Sequence, residues 1–188
     1  VDQETMMLVG VIVAVVALLI VVAAWYYTSK QRRVRLRQRF GPEYDRTVES
    51  VGEPGKAEAI LSERAARVAR FKLRPLTQDQ ADAFSREWRR IQAKFVDDPD
   101  GAVTEADQLV TQVMTARGYP LEDFERRAED VSVDHPNVVQ NYRTARTLMT
   151  RRSRGEAGTE ELRQAVVNYR SLFDDLLEVH ETRHRRAS

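Results

Sequence analysis

Residues Met6 to Tyr27 run for 22 positions without a charged or strongly polar side chain, MMLVGVIVAVVALLIVVAAWYY, and Lys30 to Arg39 just beyond carry six positive charges. Crossing the hydrocarbon core of a bilayer takes about 20 apolar helical residues. The run therefore predicts a transmembrane helix over 6–27. A secretory signal has a basic leading segment, a shorter apolar stretch and a small-residue cleavage site. Here the leading residues Val1 to Thr5 are acidic, and the run ends in Trp25, Tyr26 and Tyr27. Those three rings suit the membrane–water interface, where amphipathic aromatics settle. The reading is an anchor, with 1–5 as a short extracytoplasmic N-terminus.

Lys30, Arg32, Arg33, Arg35, Arg37 and Arg39 lie in a basic juxtamembrane segment, 28–40. The positive-inside rule places that side in the cytoplasm of a bacterial inner membrane. Anionic lipid headgroups are the expected partners of these residues. Nucleic acid is not, because no aromatics are interleaved to stack bases. On the span itself Gly10, Ala14, Ala17, Val21 and Ala24 recur at spacings of four and three. Such a seam lets helix backbones approach closely, and predicts a packing face for other integral-membrane subunits.

Charged residues are 31% of the chain, yet the net charge is +1, so no overall field selects a partner. Only four of the 30 basic residues are lysine, an arginine bias that fits a GC-rich bacterial genome. The absence of cysteine excludes disulfides, thiolate metal sites and a cysteine nucleophile.

Beyond the anchor, apolar residues recur at helical spacing and never alternate with period two, so an all-α fold is predicted: one transmembrane helix followed by a cytoplasmic helical bundle. The divisions are a linker and charged helix over 41–72, a helical domain over 73–180 and a basic tail over 181–188. Pro42 opens a helix to Val51, and a second helix runs to Phe71. Thr77 with Gln80 has capping-box form ahead of a stripe of Phe84, Trp88, Ile91 and Phe95. Asp98-Pro99 starts the next helix and Gly118 ends it. Leu121, Phe124, Ala128 and Val131 form the inward face of a short helix. Asp134-His135-Pro136 reads as the capped start of another, and Thr159 opens the last.

His180-Glu181-Thr182-Arg183-His184 matches H-E-x-x-H, in which two histidines on one helix face bind zinc and the glutamate activates water. A catalytic zinc needs a third protein ligand, and Arg185 to Ser188 supply none. A zinc metalloprotease is thus the weakest reading. A basic helix end complementing the dipole accounts for the same residues. Asp134 beside His135 could form a general base, but no nucleophile or oxyanion loop accompanies it. Asp97, Asp98 and Asp100 fall short of a calcium loop. All three histidines lie outside the span, which leaves no imidazole there for a haem or chlorophyll. The expectation is no cofactor, no metal, no small-molecule substrate and no enzyme.

From Phe40 onward the chain resembles bacterial single-pass membrane proteins of unknown function. The resemblance rests on Arg39–Glu49 (RFGPEYDRTVE), Phe95–Pro99, Arg117–Pro120, Asp123–Glu125 and Val133–Pro136. It extends through Asn141–Arg143 and Tyr169–Phe173, and it implies architecture rather than activity. The expected function is a non-catalytic accessory or scaffold subunit of a larger membrane complex, with a photosynthetic reaction-centre–light-harvesting assembly as the specific candidate. The alternative is a free-standing anchored adaptor that recruits a soluble partner.

Overall fold

A computed structural model describes residues 3–185; within its first and last helices the side chains of residues 3–11, 13–15, 25, 29 and 178–185 lie outside that description. The described residues form helices and no strand, in agreement with the all-α expectation. Helix α1 (Gln3–Phe40) takes in the apolar run and the basic segment without a break. At 1.5 Å per residue its 38 residues reach about 57 Å. Gly41 ends it at φ 47°, a left-handed backbone that a side chain disfavours. Pro42 then fits the first position of α2 (Pro42–Val51), where its missing N–H costs nothing.

Among the described residues no helix is long and apolar enough to cross a membrane. The described side chains include twelve of the 22 in the apolar run.

Helix α3 (Pro54–Val68) stops three residues short of the expected Phe71. The chain turns there because the Phe71 ring swings onto Tyr119, with centroids 6.5 Å apart. The extended strip after it is pinned where the Arg74 N–H donates to the Arg117 carbonyl, 2.9 Å. Gly118 beside it has φ 97°, and a Cβ there would meet the Lys72 carbonyl oxygen at 2.6 Å. The strip can lie against the end of α5 only because residue 118 lacks a side chain.

Helices α4 (Gln78–Lys94) and α5 (Pro99–Arg117) start as the sequence predicts. Thr77 Oγ1 accepts from the Gln80 N–H and the Gln80 side chain accepts from the Thr77 N–H. Asp98 accepts from the Gly101 N–H at 2.9 Å. Helix α6 (Phe124–Asp134) begins later than the Tyr119–Leu121 stretch suggested, with Asp123 as its cap. Leu121, expected inside, is 72% exposed.

The Asp134-His135-Pro136 stretch also differs from expectation. It closes α6 rather than opening the next helix, with His135 at the C-cap, and α7 (Val139–Ser153) starts after the turn. Asp134 faces Tyr119 and Arg39 instead of capping. Helix α8 (Thr159–Arg185) completes the chain.

The helices fall into two groups. Helices α4, α5, α7 and α8 pack around a large apolar core in which Trp88 stacks on Phe173 at 4.8 Å and Tyr142 meets Tyr169 edge-on. Helices α2 and α3 and the end of α1 pack together on α6. Their smaller cluster contains Leu36, Phe40, Tyr44, Leu61, Val68 and Val133.

Candidate interaction site at the end of the long helix

The last four turns of α1, roughly, present different chemistry on opposite sides. Residues 33, 36, 37 and 40 share one face by the i, i+3, i+4, i+7 rule, and that face is docked on the domain. Leu36 and Phe40 are buried. The Arg33 Nε–H donates to Glu58 Oε1 at 2.8 Å, and Arg37 pairs with Asp45 at 3.2 Å. Arg39 approaches Asp134 at 3.9 Å, and Arg32 donates to the Ser62 hydroxyl at 2.9 Å. The hydrogen bond that Arg33 donates to Glu58, and then that carboxylate's charge, raise the Arg33 guanidinium above its ordinary value, so Arg33 stays charged. Glu58 also accepts from the Tyr44 hydroxyl at 3.0 Å; burial first, then that carboxylate, raises the Tyr44 phenol.

Tyr27, Lys30, Gln31, Val34 and Arg35 line the opposite side of the same turns and face outward. Lys30 and Arg35 make no ion pair among the described residues. Of the six basic residues expected at lipid headgroups, the structure therefore engages Arg32, Arg33, Arg37 and Arg39 with the domain and leaves Lys30 and Arg35 outward. Sequence reading saw the charge run but not its division, because the acidic partners lie 8 to 95 positions away in the chain.

Higher up α1 the described apolar side chains are exposed. Ile12 is 54% exposed and Val21 65% exposed. Of the predicted seam, Ala17, Val21 and Ala24 are exposed on this helix, whereas Gly10 and Ala14 lie outside the described side chains. Of the interface rings, Tyr26 and Tyr27 are exposed and meet edge-on at 6.1 Å; Trp25 lies outside the described side chains.

Beneath the docked end sits a buried charge cluster that sequence reasoning missed. Glu43 on α2, only 2% exposed, accepts two bonds from Arg143 of α7, at 2.7 and 2.9 Å, and one from Arg64 of α3 at 3.0 Å. Arg64 also donates to Glu129 of α6, and Arg67 reaches both Glu129 and Asp130. Burial holds the Asp130 carboxyl above its ordinary range despite Arg67 beside it. The available signal was Glu43 within the quoted RFGPEYD stretch: a carboxylate one position from Tyr44 on a helix of ten residues. Charge on a short amphipathic helix ordinarily means solvent, so periodicity alone would not flag it.

The chemical candidates do not assemble. His135 pairs through Nδ1 with Asp175 of α8 at 2.5 Å, not with Asp134. Its side chain is 1% exposed and its Nε2 is buried without a partner among the described residues, so the ring has no route to a substrate. Asp98 and Asp100, considered for calcium, are taken up by Lys94 and Arg152. No group of three or more metal-ligating side chains occurs among the described residues. His180, Glu181 and His184 of the zincin-like stretch lie outside the described side chains.

The chain matches no family model, and neither a curated protein nor a solved structure is similar to it at a significant level.

Proposed function

We propose that this protein is a non-catalytic accessory or scaffold subunit of a larger integral-membrane complex, anchored by α1 in a bacterial inner membrane with its helical domain on the cytoplasmic side. The observation that carries this reading is the exposed apolar flank of α1, where Ile12, Val16 and the residues from Leu18 to Val22 stand exposed. An apolar surface of that extent calls for lipid or another protein. Trp25 to Tyr27 would mark the interface, and Lys30 and Arg35 would meet anionic headgroups. A photosynthetic reaction-centre–light-harvesting assembly is the specific partner class we favour.

The joint between α1 and the domain favours a subunit over a free-standing adaptor. An adaptor works on a loose tether. Here the helix continues unbroken into contacts at Leu36, Phe40 and Arg33, so a partner gripping the upper helix would also set the domain's orientation. The seam Gly10, Ala14, Ala17, Val21 and Ala24 is the surface we assign to that grip.

Purification of the native complex in mild detergent, followed by identification of what accompanies the protein, tests the proposal. Integral-membrane partners should co-purify, and Gly10→Leu with Ala14→Leu should reduce their recovery at least tenfold. Full recovery after an unrelated poly-leucine helix replaces residues 6–24 would overturn the subunit reading in favour of the adaptor.

A further inference from the structure

On the far side of the buried charge cluster a groove of about 520 Å³ opens between α2, the start of α6 and α7. Arg46, Arg151 and Arg154 edge it, Thr144 and Glu125 lie along it, and Phe124 forms part of its floor. The field in it is positive for a structural reason. Glu43 is surrounded by three guanidiniums, from Arg46 at 3.6 Å, Arg64 and Arg143. Arg64 is shared with Glu129 of α6, so the one carboxylate of Glu43 faces the two remaining cations, and the excess emerges where Arg46 and Arg143 reach the groove.

The end of α7 adds to it. Arg151 spends its side chain on the uncharged Glu156 carbonyl, and Arg154 makes no ion pair among the described residues. Their neighbour Arg152 is satisfied by Asp100 in a two-pronged pair at 2.8 and 2.9 Å. Complementing the helix dipole explains basic residues in a last turn, but it does not explain a second source of charge arriving from α2.

We infer that this groove binds an acidic segment of a partner polypeptide. Residues 140, 144, 147 and 151 on one face of α7, continued by Arg154 at its C-cap, span about 21 Å. About six residues of extended chain cover that length. Phe124 and Leu148 in its lining suit the aliphatic stems of glutamate side chains.

Nucleic acid fits less well. Binding it through single strands needs open aromatic faces, and Arg146 already lies over the Phe124 ring at 5.5 Å. A lipid surface fits less well too, because α7 packs on α6 and α8, whereas α1 packs on α2, α3 and α6. The inference does not depend on what covers the upper part of α1.

The test is calorimetric titration of the full chain in detergent with a capped hexaglutamate peptide, at low salt and again at 0.3 M added salt, a concentration that shortens the Debye length to roughly 5 Å. Binding should occur at low salt and weaken at least tenfold when salt is added. Arg151→Glu with Arg154→Glu should abolish it, and because both residues are exposed the protein should keep its circular-dichroism spectrum and a cooperative melt. Arg86→Glu with Arg89→Glu, an equal charge reversal on exposed positions of α4, should leave binding within twofold. Equal losses in the two double variants would reduce the effect to net charge and overturn the proposal. So would tighter binding of polyuridylate than of hexaglutamate at the same site.

Discussion

The two helix groups of this protein solve the same packing problem with different materials. The α4–α5–α7–α8 bundle buries Trp88, Tyr142, Tyr169 and Phe173 among aliphatic residues, and its ion pairs stay near the surface. The α1–α2–α3 group, set on α6, has six buried apolar residues in its cluster and places a carboxylate with two guanidiniums beside them. A large apolar core stabilises without direction. Bidentate guanidinium–carboxylate bonds add geometry, because the fork accepts few orientations. The lesson is that the bundle is built for stability, while the group carrying α1 is built to hold one angle.

Removing Glu43 should have the largest effect. Glu43→Ala leaves Arg143 buried without its carboxylate and Arg64 with Glu129 alone, and should cost about 3–5 kcal/mol, read by urea unfolding monitored by circular dichroism. The sharper form replaces Glu43 with Leu and Arg64 and Arg143 with Met. If the cluster serves orientation, stability returns to near the parent value, while spin-label distances between α1 and α8 broaden. A distribution as narrow as the parent's would mean that the apolar contacts alone set the angle.

In the bundle, Leu172→Ala should cost about 2–5 kcal/mol through the cavity it leaves, with no change in those distances. At the joint, Tyr44→Phe removes a hydroxyl donor to Glu58 and should cost about 1.5–3 kcal/mol. A loss below 0.5 kcal/mol in the same unfolding assay would show that Arg33 holds Glu58 without help.

The smallest expected effect concerns acid. Hydrogen bonds from Lys94, then Arg90, hold the Glu105 carboxyl below its ordinary 4.5. A depressed carboxyl contributes stability above its unfolded value, and that contribution fades as pH falls through the folded one. Glu105→Gln should therefore flatten the loss of stability below about pH 4.5 and change little at pH 7, where a solvent-exposed pair contributes little. An unchanged acid limb in thermal melts from pH 3 to 7 would remove this pair from the account.

The bundle was largely legible before any coordinates. Thr77, Gln80, Asp98 and Gly118 cap where their types and spacings predict, because capping is decided within four residues of chain. The α5 stripe of Ala102, Ala106, Leu109, Val110 and Val113 is buried in full. Failures occurred where distant partners overruled local chemistry. Asp134-His135-Pro136 has the form of a helix start, yet His135 is drawn to Asp175, forty positions on, and ends α6 instead. Leu121 is apolar but lies in the turn before α6 and is exposed.

The candidate site divides in the same way. The sequence by itself determined that residues 6–27 form an apolar helix-length run and that a basic segment follows, since length, hydropathy and charge are properties of contiguous residues. Only the tertiary structure decided which of those charges are spent. Arg33, Arg37 and Arg39 meet Glu58, Asp45 and Asp134 across the fold, leaving Lys30 and Arg35 outward. Whether a charge is paired depends on distance in space, and a chain's own order carries no measure of that.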